Sequence, residues 1–136
     1  MRVYVDSSAL LKRVIAEPNS APLVAFLGDH ATGGDALICS SLGWVEVSRA
    51  LRAQFGDRDD LVNTTCDTAL SGVLERPVTP EVVALARRLP PSRLRSLDAL
   101  HLASAILVDA DEIVAYDQRL LDAARFHGLQ VCSPAT

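Results

Sequence analysis

The chain has 136 residues, 49% of them hydrophobic, and a formal net charge of −4. That is the size of one domain, spanning residues 1–136, with enough chain to bury a core. No apolar run approaches the roughly 18 residues of a membrane span, and no secretion signal opens the chain, so a cytoplasmic location is expected. The acidic balance argues against a general nucleic-acid coat protein. Three widely spaced cysteines, Cys39, Cys66 and Cys132, with no C-x-x-C, argue against a disulfide framework or a zinc site and predict buried free thiols.

In chain order, Arg2–Val5 reads as a strand, and Asp6-Ser7-Ser8 follows it directly. Ser8–Ala16 reads as a helix ended by Glu17-Pro18, and Ala21–Leu27 as a short second helix. Gly33-Gly34 breaks the chain before Ala36–Cys39, an apolar run expected to be a buried strand. Ser40-Ser41 caps a helix running through Trp44, Val47, Leu51 and Gln54. Another helix is expected over about Asp59–Leu74, then a short strand at Arg76–Val78. Thr79-Pro80-Glu81 is a helix start, with Thr79 as cap and Pro80 in the first position, and that helix ends near Leu89. Ser96–Leu107 reads as a buried helix. Glu112–Ala115 is a strand, Gln118–His127 a helix closed by Gly128, and Gln130–Cys132 a last strand. Strands alternating with helices imply right-handed crossovers and an α/β fold of three layers, a mainly parallel twisted sheet between helices.

Of seventeen acids, most fall in turns and first helical turns, where acids are ordinary. Four do not. Asp6 ends the first strand, where the simplest role is a helix cap. Asp117 follows Glu112–Ala115 in the same strand–Asp–helix arrangement, so both are expected at the carboxyl edge of the sheet, where such folds place ligands. Asp98 lies in the apolar first turn Leu97-Asp98-Ala99-Leu100, and Glu46 in Trp44-Val45-Glu46-Val47. Four converging carboxylates repel one another. A divalent cation removes that penalty, and oxygen ligands without a Cys or His cluster point to Mg²⁺ or Mn²⁺. His101 stands three residues after Asp98, a spacing suited to a shared ligand. A lone histidine on an apolar helix is, however, first a hydrogen-bonded core residue. Ser7 and Ser8 are caps, or groups orienting Asp6 or a water.

These segments together resemble the PIN-domain family, specifically the VapC-type ribonuclease toxins of prokaryotic toxin–antitoxin pairs. The resemblance rests on VYVDSSALLK at the start, the acid Glu46, LRSLDALHLASAI and IVAYDQRLLDAA, and spans nearly the whole chain. It implies that Asp6 and Asp98 are principal metal ligands, with Glu46 and Asp117 completing the catalytic site. It also implies Mg²⁺- or Mn²⁺-dependent cleavage of RNA, homodimers, and inhibition by a small antitoxin within a larger toxin–antitoxin complex. The residue after the fourth acid is often a small hydroxyl residue or Asn in this family; here it is Gln118, a departure.

An acidic pocket repels RNA, so nearby cations must attract it. Lys12, Arg13, Arg93, Arg95 and Arg119 are the candidates, Arg95 first among them. The apolar residues Leu10, Leu11, Ile15, Phe26, Trp44 and Phe55 are core or the floor of a groove for an amphipathic antitoxin segment. Two rival readings are a phosphoaspartate-type phosphatase and a non-catalytic PIN-like binding module. The phosphatase is disfavoured because the second Asp it wants two residues after Asp6 is Ser8.

Overall fold

A computed structural model describes residues 1–135. Five strands, β1 (Arg2–Val5), β2 (Ala36–Ser40), β3 (Val73–Arg76), β4 (Glu112–Val114) and β5 (Gln130–Cys132), form one sheet in the order β3-β2-β1-β4-β5. Every neighbouring pair is parallel: Tyr4 stands beside Ile38 on one side and Ile113 on the other. The helices are α1 (Ser7–Leu11), α2 (Ser20–Thr32), α3 (Ser41–Phe55), α4 (Asp59–Ala69), α5 (Pro80–Ala86), α6 (Ser96–Leu107) and α7 (Gln118–Phe126). Helix α3 packs on α1 and α4, while α6 packs on α5 and α7. Right-handed crossovers place the first group on one face of the sheet and the second on the other. The expected three-layer α/β architecture is therefore present, with a sheet that is wholly parallel.

The chain runs outward from β1 to β2 and β3, then returns to β4 on the other flank of β1. The topological switch point lies between β1 and β4, and ligands of open parallel sheets bind beyond the carboxyl ends of the strands at such a point. The core runs beneath it. Val3, Tyr4, Val5, Leu10, Leu51, Leu102, Ile113 and Leu120 are fully buried; each large apolar side chain contributes about 1.5–3 kcal/mol relative to exposure.

Several element limits differ from expectation. Helix α1 stops at Leu11 rather than Ala16, because the next amides close tighter turns onto Ala9, Leu10 and Leu11. Helix α2 runs through Gly28 to Thr32, since burial of Leu23 and Leu27 outweighs the roughly 1 kcal/mol cost of a helical glycine. Helix α4 ends at Ala69, and Gly72, at φ +74°, turns the chain into β3 three residues earlier than expected. Helix α5 ends at Ala86, short of Leu89. Thr79 and Ser40 act as caps, their side-chain oxygens accepting from the amides of Val82 at 3.2 Å and Leu42 at 3.1 Å. Cys39 and Cys66 are buried free thiols, and Cys132 is half-buried. Among the described residues, no helix is long and apolar enough to cross a membrane.

Candidate active site

Asp6 occupies the helix N-cap position by its backbone, and its carbonyl accepts from the amides of Ala9 and Leu10. Its side chain does not cap. Oδ2 accepts instead from Ser8 Oγ at 2.7 Å, and Oδ1 lies 3.6 Å from His101 Nε2. The carboxylate is nearly buried, 7% exposed as a residue, and among the described residues the nearby imidazole is its one ion-pair partner. Asp117 is the true cap: its Oδ1 accepts from the amides of Arg119 at 2.8 Å and Leu120 at 3.4 Å. Two acids that look alike in sequence thus spend their oxygens differently.

Asp6 and Asp117 come from the ends of the sheet segments flanking the switch point. Glu46 reaches the same edge from α3, and Asp98 from the first turn of α6. All four line one cavity of about 390 Å³, together with Ser7, Ser8, Leu11, Lys12, Glu17 and Tyr116. Burial, followed by the charges of Asp117 and Asp6, pushes the Asp98 carboxyl above its ordinary value. Partial burial disfavours the charged carboxylate first, and the like charges around it add to that cost.

Sequence reasoning placed His101 in the core, and it is buried and hydrogen-bonded as expected. Its partners nevertheless make it part of the site. Nε2 lies 2.5 Å from Glu46 Oε1, and Nδ1 lies 2.7 Å from Tyr4 Oη. Burial opposes charge on this ring, but Cys39, Glu46 and Asp6 around it outweigh burial and push its pKa up to about 10. Asp6, Glu46 and His101 present ligand-type atoms within 4.8 Å of one another. Asp98 and Asp117 share the cavity but stand outside that tight group.

The candidate RNA-binding cations divide. Lys12 lines the cavity, but its ammonium donates to Glu17 Oε2 at 3.0 Å and Pro18 O at 3.1 Å, and lies 4.6 Å over the Tyr116 ring. Arg13 donates to the carbonyls of Ala69 and Ser71, both at 2.9 Å, and lines a different hollow. Arg93 and Arg119 flank a small depression with Pro91, Leu94 and Asp122. Arg95 is exposed at the N-cap of α6, three residues before Asp98. Tyr4, Glu17 and Tyr116 were missed by sequence reasoning. The signal for Tyr4 was a hydroxyl in an otherwise apolar strand, which needs a partner once buried. Of the expected groove residues, Leu10 is fully buried, while Leu11, Ile15, Phe26, Trp44 and Phe55 are partly buried against the core.

The PIN-domain family model matches residues 3–126. Ribonuclease VapC47 of Mycobacterium tuberculosis (strain CDC 1551 / Oshkosh) is 36% identical over 134 residues, covering 97% of this chain and 96% of the relative. Ribonuclease VapC46 of M. tuberculosis (strain ATCC 25618 / H37Rv) is 35% identical over 135 residues, covering 98% of each. A chain in the crystal structure of VapBC2 from Rickettsia felis, bound to a DNA fragment from their promoter, shares the fold. Its TM-score is 0.75 at 14% identity, over 97% of this chain and 98% of that one. With a family match over most of its length and near-full-length relatives above 30% identity, the chain belongs to the PIN-domain family and, within it, to the VapC group.

Proposed function

We propose that this protein is an endoribonuclease and the toxin of a VapBC-type toxin–antitoxin pair, a single domain acting in the cytoplasm with Mg²⁺ or Mn²⁺. The observation that carries the reading is the gathering of Asp6, Glu46, Asp98 and Asp117 around one cavity at the switch point, where burial and then the charges of Asp117 and Asp6 raise the Asp98 carboxyl. The donor set is hard oxygen, which suits these cations. Asp6 and Asp98 would hold the ion, with Glu46 and Asp117 beside them. Such a cation lowers the pKa of water and offsets charge on a scissile phosphate and its leaving oxygen.

The chain's own residues supply the rest. Ser8 donates to Asp6 and fixes its carboxylate. Asp117 keeps Oδ1 on the α7 amides, and either its second oxygen or Glu46 would accept the proton of the attacking water. No side chain is needed as nucleophile: water attacks phosphorus in line, the 3′ oxygen leaves, and the products carry a 5′ phosphate. Exposed Arg95, three residues before Asp98, and Arg119, two after Asp117, suit phosphates of the flanking strand, with Arg93 beside Arg119 in a separate depression. Arg13 does not, because its Nη1 is bonded to the Ala69 and Ser71 carbonyls and it lines a different hollow, and Lys12 acts by holding Glu17 and Tyr116.

The VapC names of the relatives and the toxin–antitoxin complexes among proteins of this fold support a small antitoxin as partner, and family membership supports a homodimer. The antitoxin segment would dock on helices α2 and α3, which carry exposed Val24 and Val45 and partly buried Phe26 and Trp44. A basic side chain from it would compete for the acidic cavity.

The test is cleavage of RNA by purified protein with Mn²⁺, Mg²⁺ or EDTA. Wild type should cleave only with metal. Asp98→Asn should lower the rate at least about 100-fold while keeping the circular dichroism of the wild type. Full metal-dependent cleavage by the folded Asp98→Asn variant would overturn the assignment.

A further inference from the structure

We propose that His101 is a positioning residue: through Tyr4 it relays a hydrogen bond from the main chain at Ser40 to Glu46, and so holds that carboxylate in the acidic cavity. The inference rests on the reading of the cavity as a cation site.

The relay is read from donors and acceptors. Tyr4 is fully buried on β1, so its hydroxyl must find partners inside the protein. It accepts from the amide of Ser40 at 3.0 Å and meets His101 Nδ1 at 2.7 Å. A phenol has one proton. Glu46 Oε1, a carboxylate oxygen, accepts, so Nε2 carries the proton between them; in a neutral imidazole Nδ1 is then bare and accepts the phenol's proton. With a charged imidazole, both nitrogens carry protons. In either state Nε2–H is a donor, and it faces Glu46 Oε1 at 2.5 Å with Asp6 Oδ1 at 3.6 Å. A nitrogen that carries a proton has no lone pair for a metal. His101 therefore stands behind the ligands rather than among them, despite its spacing from Asp98.

The consequence falls on Glu46. Its side chain is 26% exposed and long enough to turn out to water. One donor on Oε1 fixes it inward and leaves Oε2 to the cavity. The layers of the fold are tied together at the same point. Ser40 ends β2 and caps α3, which carries Glu46; Tyr4 belongs to β1; His101 belongs to α6, on the opposite face of the sheet. Partners that orient ligand side chains typically change metal affinity about 10–100-fold when removed.

The experiment is Mn²⁺ titration by calorimetry on metal-free wild type, His101→Leu, His101→Gln, Tyr4→Phe and Asp6→Asn, with RNA cleavage measured in parallel. His101→Leu should bind Mn²⁺ about 10–100-fold more weakly. His101→Gln, whose amide can still donate to Glu46, should recover part of that loss. Tyr4→Phe should weaken binding in the same direction by less. Unchanged Mn²⁺ affinity in His101→Leu beside a large loss in Asp6→Asn would overturn the positioning role and leave the acidic site standing. A loss in His101→Leu equal to that of Asp6→Asn, with no recovery in His101→Gln, would make His101 a ligand and also overturn it. Unchanged binding in both would remove the cation site itself. Should His101→Leu fail to fold, ¹⁵N-histidine NMR of the wild type decides the matter: a proton on Nε2 of His101 is required, and a bare Nε2 overturns the relay.

Discussion

The two edges of the sheet carry similar numbers of acids and treat them in opposite ways. At the amino edge, Asp35 precedes β2 and accepts from the Met1 amino group at 2.6 Å and from His30 Nδ1 at 2.7 Å. Asp111 precedes β4 and accepts from the amide of Arg2 at 2.7 Å, while the Arg2 guanidinium donates to Val108 O at 2.9 Å. Glu112 is the loosest member there, with Oε1 3.7 Å from His30 Nε2. At the carboxyl edge, Asp6, Glu46, Asp98 and Asp117 share a cavity whose lysine is already bonded to Glu17. At the amino edge Asp35 and Asp111 are tied down while Glu112 Oε1 is buried without a hydrogen-bond partner; at the carboxyl edge four acids face one cavity, with the His101 imidazole beside Asp6 and Glu46. Four carboxylates with one imidazole among them are under-compensated, and this is what favours the proposed cation at the carboxyl edge.

Adding that cation should erase the difference. Mn²⁺ at about 100 times its dissociation constant should stabilise the wild type by about 2.7 kcal/mol, and EDTA should reverse the shift. Thermal melts with and without Mn²⁺ measure this directly. Asp35→Asn should show the same Mn²⁺-induced shift as wild type, because the amino edge takes no part. Asp98→Asn should show little or none. An equal shift in Asp98→Asn would place the ion elsewhere.

A steric intrusion should separate the edges in another way. Gly43 in α3 lies against Cys39 at the end of β2, and a Cβ there would stand 2.4 Å from Cys39 Sγ and 3.9 Å from a His101 ring carbon. The glycine is needed for close approach rather than for an unusual backbone. Gly43→Ala should push α3 away from β2 and cost about 2 kcal/mol, read as a lower denaturant midpoint at unchanged slope. Because Glu46 rides on α3 one turn later, cleavage should fall further than stability predicts. Cys39→Ala combined with Gly43→Ala should restore much of both, as it removes the clashing sulfur.

How much of this was legible in sequence depends on the distance over which a feature is built. Strand–Asp–helix junctions at Asp6 and Asp117 are local, and their placement at one edge follows from parallel topology. Thr79-Pro80 and Ser40-Ser41 announced their helices for the same reason. The start of β3 was misplaced because this edge strand is mostly exposed and carries no apolar pattern; its cue was the turn at Gly72. The Tyr4–His101–Glu46 relay was not legible at all. It joins residues 97 and 55 positions apart, and in sequence each has an ordinary local role: a strand aromatic, a core histidine and a helix-surface acid. Nor could spacing distinguish Asp6 from Asp117 as caps, since that depends on where a carboxylate points after the chain turns.

The smallest effects should have opposite signs at the two edges. The Asp35 carboxyl is held below its ordinary value of 3.8 by the Met1 amino group and then by His30. An acid with a depressed pKa contributes stability at neutral pH, and that contribution is lost as pH falls from the ordinary value through the folded one. Asp35→Asn should therefore lower the melting temperature at pH 7 by about 1–2 °C, a small effect because the group is screened by solvent. The deficit should vanish in acid below the folded pKa. Asp98 is the reverse case, raised above 3.8 by burial and then by Asp117 and Asp6. The folded state holds this proton more tightly than the unfolded chain, so the charge costs stability above the folded pKa and the cost is relieved as pH falls through it. In EDTA at pH 7, Asp98→Asn should melt about 1–2 °C above wild type. The gain should fade toward pH 4, and it should invert when Mn²⁺ is added, because only the wild type then gains the ion. Melts of the two variants from pH 3.5 to 7.5, with and without Mn²⁺, test both signs. Stabilisation by Asp98→Asn that persists in Mn²⁺ would mean that its carboxylate is a misplaced charge and not a ligand.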